Sequence, residues 1–356
     1  MQLLMNLVDE SKQLNQARFP LGLAYHPPKG WFKIIHQGLM IPNLPAPLHY
    51  FNFLTILGQP NVPMLRNPSA IKTTALDTVA VMSSISAQMV GQLHCYSMEN
   101  DCTFDENIFQ FQDRENFSGA FPEFKLQRND SELSFDLQIK ISGSFCYFNK
   151  LRMGLAEYWS QLCECSGEIV YKDRPYTIQQ LGSLEFARAM IFPSFSIAFY
   201  TAQIINLSNQ RQLIVMQTRD GLNRILQSRL YLKDFNSKKI QMYDDGVYLR
   251  VHRVYPAVMT PNHHKMYLPR EFEWIISNSK INVHIQSQSR GDFKFGVGAG
   301  YAGSFSYQIK INDEEISGES GYCEYIDCRP LNWQEKNKTG KLFDKFVDSV
   351  PVFLKK

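Results

Sequence analysis

The sequence predicts an all-β protein folded as two tandem barrels, with an N-terminal arm and a C-terminal helix. Three observations predict it. Short runs of alternating apolar and polar residues recur along most of the chain. Aromatic residues reach 13%, led by 25 Phe and 17 Tyr, which suits strands and pocket linings. One strand–turn–strand pattern also occurs twice, about 140 residues apart, and a repeat at that distance marks two copies of one unit.

Prolines at 20, 27, 28, 42, 45 and 47 bar a long helix from residues 1–45, which read as a short helix and an extended arm. From His49 the texture becomes β. His49–Leu57 reads as an entry strand closed by Gly58, and Leu76–Ser83, Met89–Ser97 and Ile108–Phe111 follow. Leu133, Phe135, Leu137, Ile139 and Ile141 alternate with polar residues, the mark of a half-buried strand. Glu168–Tyr171 and Arg174–Ile178 flank Lys172-Asp173 as a hairpin. The first barrel is set at residues 46–190 and the second at 191–335. In the second, Ala202–Leu207 and Gln212–Gln217 flank a polar turn, and Asp244-Asp245-Gly246 signals a hairpin between Ile240–Tyr243 and Val247–Val251. Phe272, Trp274 and Ile276 alternate, as do Ile281, Val283 and Ile285. Leu342, Phe343, Phe346 and Val347 form one stripe and predict a helix in the tail, residues 336–356.

Composition narrows the function. The chain has 356 residues and is 44% hydrophobic, enough for two packed cores. Its 37 basic and 34 acidic residues are spread evenly, so nucleic acid is not expected as a partner. The seven cysteines are odd in number and include no Cys-x-x-Cys pair, which predicts free thiols in a reducing, cytoplasmic setting. No metal is expected: Cys163-x-Cys165 is too tight for the usual zinc spacing, and His263-His264 lacks carboxylates at ligand spacing. Met1–Phe19 is amphipathic and lacks the pattern of a secretory signal. No window approaches the ~18 apolar residues of a membrane helix. Gly298-Ala299-Gly300-Tyr301-Ala302-Gly303 spells a dinucleotide fingerprint, but a strand pattern follows where a helix is required. Those glycines read as a bulge or tight bend, and no cofactor is expected.

The candidate chemistry sits in the repeat. Each copy ends in Gly-x-x-Glu-aromatic: Gly182, Glu185 and Phe186 in the first, Gly321, Glu324 and Tyr325 in the second. On an extended strand Glu324 shares a face with Tyr322, Ile326 and Cys328, while Cys323, Tyr325, Asp327 and Arg329 take the other. A carboxylate among apolar neighbours without a cation has a raised pKa and suits a general acid. A buried structural pair with Arg188 or Arg329 is the alternative. Arg188, three residues beyond Glu185, is expected to hold that group ionised. Glu324, with Tyr325 and Asp327, is therefore the candidate catalytic group. Tyr158, Trp159, Glu185, Tyr322 and His49 are the candidate ligand-binding residues, around an apolar pocket near the junction of the barrels.

The entry strand His49–Gly58, the segment from Tyr158-Trp159 to Gly167–Tyr171, the Gly182–Phe186 end and Gly321–Arg329 together resemble a known superfamily. It is the two-domain calycin, or lipocalin-like, group of carotenoid hydratase (hydroxyneurosporene synthase), tocopherol cyclase and the fungal lipocalin-like Diels–Alderases. The chain looks closest to an uncharacterised bacterial branch. The resemblance implies lipocalin-like barrels and a hydrophobic ligand of isoprenoid, lipid or polyketide type. It further implies isomerisation, hydration or cyclisation of that ligand by acid catalysis without a cofactor. A carrier without chemistry is the alternative. The Asp-His and Trp-Gly pairs of the hydratases are absent; Glu185-Phe186-Ala187-Arg188-Ala189 stands in their place.

Overall fold

The computed structural model describes residues 9–15, 26–59, 61–89, 92–190, 197–237 and 240–330. The expected C-terminal helix lies outside them. The fold is all-β, as expected, and is carried by two large antiparallel sheets. Among the described residues, helix is confined to short pieces such as α1 (Ser11–Leu14) and α2 (Met98–Asp101).

The first sheet takes β1 (Phe32–Ile41), β2 (Phe51–Leu57), β3 (Thr78–Ile85), β4 (Leu93–Ser97), β5 (Cys102–Asp105), β6 (Ile108–Phe111), β7 (Glu115–Ala120), β8 (Glu123–Arg128), β9 (Leu133–Lys150), β10 (Ala156–Tyr171) and β11 (Arg174–Met190). Its order is β4-β3-β2-β1-β11-β10-β9-β8-β7-β6-β5, and it curls into a nearly closed barrel. The two edge strands, β4 and β5, are consecutive in the chain and are joined by the single turn α2. Ser97 caps that turn, accepting from the Asn100 N–H.

The second sheet takes β12 (Ile197–Asn206), β13 (Arg211–Asp220), β14 (Ile225–Asp234), β15 (Gln241–Tyr243), β16 (Val247–Val254), β19 (Pro269–Ser277), β20 (Asn282–Ser289), β21 (Lys294–Val297), β22 (Gly300–Ile311) and β23 (Glu314–Asp327), with the small pair β17 (Val258–Met259) and β18 (Lys265–Met266) apart from it. Its main path is β15-β14-β13-β12-β23-β22-β20-β19-β16. In both sheets the opening strand pairs with the closing one: β1 with β11, β12 with β23. In both, the fourth and fifth strands are the edges. This shared order is the structural form of the sequence repeat.

Two readings are corrected here. Phe32–Ile41 was expected in the arm, yet it forms a central strand; the prolines border it without interrupting it. Asp244-Asp245-Gly246 is not a hairpin turn. It joins β15 and β16, which pair with β14 and β19 at opposite edges. Gly246 serves the bend at φ +66°.

Each sheet has an inner apolar face. The first encloses Phe51, Phe53, Phe111, Phe135, Trp159 and Phe186; the second encloses Phe199, Trp274, Phe305 and Tyr325. A third buried cluster joins the outer faces of β1, β2, β3 and β9 to those of β12, β13, β14, β22 and β23. It contains Met40, Tyr50, Leu54, Tyr200, Ile204 and Tyr322. This seam is where the two halves meet. No helix among the described residues is long and apolar enough to cross a membrane.

Candidate functional site

Strand periodicity sends the two repeat glutamates into the seam. In β11, Leu184 and Phe186 point into the first barrel, so Glu185 points out of it. In β23, Cys323 and Tyr325 point into the second, so Glu324 points out of that one. Small residues flank both on the neighbouring strands. Gly38 and Ser160 stand beside Glu185, and Ala202 and Ala302 beside Glu324. Both carboxyls are buried.

A hydrogen-bond chain crosses the seam between them. Tyr158 donates its hydroxyl to Glu185 Oε2, and its oxygen lies 3.3 Å from the Tyr200 hydroxyl. Tyr200 hydrogen-bonds Glu324. Tyr322 donates to Glu324 Oε1 at 2.9 Å and accepts from Asn52 Nδ2 at 3.1 Å. On the other side, Ser183 Oγ donates to Glu185 Oε1 at 3.4 Å and lies 2.6 Å from Ser160 Oγ. Ser160 accepts from the buried Lys233 Nζ at 2.6 Å. The chain therefore runs from Lys233 on β14 to Asn52 on β2 and draws on both sheets.

Burial sets the electrostatics. Loss of water pushes the Glu185 carboxyl up to about 8, and the Glu324 charge adds to the push. Hydrogen bonds from Tyr158 and Ser183 and the Lys233 charge act the other way. Burial likewise pushes Glu324 up to about 7, against hydrogen bonds from Tyr322 and Tyr200. Two carboxyls close enough to repel one another titrate as a pair. Near neutral pH the pair therefore retains a proton that an ordinary glutamate would have released.

The family model for DUF6670, a family of unknown function, matches residues 54–340. The chain belongs to the DUF6670 family. No curated protein matches this DUF6670 chain by sequence. Among solved structures it resembles a candidate AttH protein from Nitrosomonas europaea, at 14% identity and a TM-score of 0.59, over 88% of this chain and 99% of that one. It also resembles kievitone hydratase from Nectria haematococca, at 9% identity and a TM-score of 0.54, over 83% and 89%. These likenesses show a shared fold, the lipocalin-like architecture that the sequence resemblance implied.

The DUF6670 chain sorts the expected site residues by face. Glu324, Tyr322, Glu185 and Tyr158 come together in the seam. Trp159 follows Tyr158 on a strand, so it points the opposite way and packs in the first barrel against Phe145 and Phe186. Tyr325 likewise packs inside the second barrel, edge-on to Phe199. Asp327 is engaged by Arg329, whose Nε and Nη2 each donate to one of its oxygens at 2.8 Å. His49 bridges the halves, with Nδ1 2.9 Å from Ser320 Oγ.

Arg188 does not hold Glu185. Three residues on, it faces the other side of the strand and binds Glu157, Nε to Oε1, at 2.6 Å. The expected apolar pocket near the junction is not borne out. Side chains of both sheets take up the seam, and partial exposure remains at its margin, at His36 and Tyr158 among others. A polar recess of about 450 Å³ opens elsewhere, on the first barrel beside Gln110, Asn116, Gln127 and Asp136. Sequence reasoning missed Tyr200, Lys233, Asn52 and His36. Lys233 alone left a trace: it follows the alternation of Leu230 and Leu232 as a charge on the Tyr231 face.

Proposed function

We propose that this protein binds an apolar small molecule at the seam and gives it a proton from the Glu185–Glu324 pair. The observation that carries this reading is the convergence of two buried, mutually repelling carboxyls on one hydrogen-bond chain. A neutral carboxylic acid in an apolar setting near pH 7 is what protonation of an alkene, epoxide or carbonyl requires. The substrate class is inferred from the surroundings: Tyr158, Tyr200 and Tyr322 carry hydroxyls, and their neighbours Met40, Leu54 and Ile326 are apolar. An isoprenoid, lipid or polyketide-like molecule fits such a face, and isomerisation, hydration or cyclisation are the reactions an acid alone can start. Kievitone hydratase, a hydratase by name, shares the fold.

A second reading is a carrier without chemistry, in which the pair only fastens the two sheets together. The close packing of the seam favours it. The experiment extracts the purified protein with organic solvent and identifies what is released by mass spectrometry. Glu185→Gln and Glu324→Gln proteins are then incubated with the released compound. An apolar compound converted by the wild type and bound but left unchanged by the variants supports the acid. A compound bound and unchanged by all three supports the carrier. A protein that yields no apolar compound counts against both readings.

A further inference from the structure

His36 lies on the seam face but outside the hydrogen-bond chain. Across β1, β11 and β10 that face runs His36–Ala187–Tyr158 in one row and Gly38–Glu185–Ser160 in the next. Ala187 is small, and the His36 ring meets the Tyr158 ring edge-on at 5.9 Å. Gly38 is bare, and His36 Nε2 stands 3.3 Å from where its Cβ would be. Glu185 is the cross-strand partner of Gly38, so His36 and Glu185 are diagonal neighbours, about 7 Å apart at Cβ. The backbone fixes the tautomer. Nδ1 lies 2.9 Å from Thr55 O, a carbonyl that only accepts, so Nδ1 carries the hydrogen and Nε2 presents a lone pair.

We infer that His36 is the base that completes the acid pair, so that the seam shifts a double bond in an isoprenoid-like alkene by giving one proton and taking another. This rests on the acid reading above. The carboxyl O–H breaks as a C–H bond forms at one alkene carbon, and the π electrons leave a carbocation at its neighbour. His36 Nε2 takes a proton from the adjoining carbon, and the released C–H electron pair becomes the new C=C bond. The imidazolium then returns its proton to the carboxylate, which restores both groups. The product is an isomer, and no oxidant, reductant or water is consumed. Burial holds the ring at about 4, which makes it a weak base. A carbocation is so strong an acid that a weak base suffices, and a weak base releases the proton again readily.

The test uses the full-length protein and diethyl pyrocarbonate, which modifies neutral imidazole nitrogens within its reach, followed by peptide mapping of the eight histidines. His36 is expected to be modified at neutral pH, alongside the exposed His252 and His284. An unmodified His36 beside modified His252 and His284 overturns the base. Gly38→Ala is expected to lose the His36 label, because its methyl would crowd Nε2. Ring nitrogen NMR of the wild type is a second measurement that needs no variant. A bare Nε2 supports the inference, and a protonated Nε2 overturns it. Carboxyl carbon NMR separates this inference from the reading beneath it. Ordinary carboxyl titration removes the acid and with it the reaction, whatever His36 does. Raised carboxyls with an unmodified His36 remove only the base.

Discussion

Glu185 and Glu324 occupy the same place in two copies of one strand and meet across the seam through Tyr158 and Tyr200. Each closes its own sheet, beside the opening strand. The repeat thus brings two equivalent acids to one point, where each raises the cost of ionising the other.

This relation predicts how stability depends on pH. An unfolded glutamate releases its proton near 4.5, whereas the folded pair holds on until about 7 and 8. Between those limits the folded state binds more protons than the unfolded one. The contribution of the pair is therefore complete below pH 4.5 and is lost as pH rises through 7 to 8. Each group supplies a slope of up to about 1.4 kcal/mol per pH unit. Urea unfolding from pH 5 to 9 should show this decline in the wild type, and a flatter profile in the Glu185→Gln, Glu324→Gln double variant. Parallel profiles would mean that both carboxyls titrate normally.

Lys233 is the cation that tempers Glu185. Lys233→Met keeps most of the volume and removes the charge. Glu185 should then titrate above its wild-type position near 8, read by carboxyl carbon NMR. Stability at pH 6 should change by no more than about 1.5 kcal/mol, because the pair still holds its proton there and the lysine faces no full anion. A Glu185 that titrates as before would show that the Lys233 charge does not act on it.

The legibility of this fold follows burial. Leu133–Ile141 was readable because one face is wet and the other dry. The strand Phe32–Ile41 was not, because it is buried on both faces through most of its length and shows little alternation. The hairpin of Glu115–Ala120 and Glu123–Arg128 was missed as well, since Gly119 and Pro122 look like breaks, although Gly119 pairs with Phe124 in the ladder and Pro122 sits at the turn. Within the site, Glu185 and Glu324 were visible through the repeat. Tyr200, Asn52 and Lys233 belong to no motif or repeat, and their partners lie far away in sequence. The Tyr158-Trp159 pair was read as one wall, but a period of two separates the members.

Asp327 and Arg329 make a structural pair, and its loss should be costly. Both are buried, and the guanidinium also stacks on the Phe199 ring at 4.1 Å. Arg329→Leu would leave the Asp327 carboxylate in a dry setting, at a cost of about 3–5 kcal/mol in urea unfolding. Asp327→Asn combined with Arg329→Leu should recover part of that loss. Glu324 points to the other face, and its titration should not move. A shifted Glu324 would place Asp327 in the seam network after all.

The two glycines of the repeat have the same cause, and the last prediction tests it. Three residues before each glutamate, the strand turns its other face inward, so Gly182 and Gly321 lie against the barrel interiors. A Cβ on Gly182 would meet Cys165 Sγ at 2.7 Å and Cys163 Sγ at 3.2 Å. A Cβ on Gly321 would meet the Phe305 ring at 2.5 Å. Neither backbone has a positive φ, so the requirement is space and not conformation. Gly182→Ala and Gly321→Ala should each cost about 1–3 kcal/mol through overpacking. The remedy distinguishes space from backbone. Phe305→Leu removes the ring that crowds Gly321, so it should cost less in a Gly321→Ala background than in the wild type, a coupling read from a double-mutant cycle. Additive losses would mean that Gly321 serves some other need. Phe305 would then be no part of the reason why both strands carry glycine three residues before glutamate.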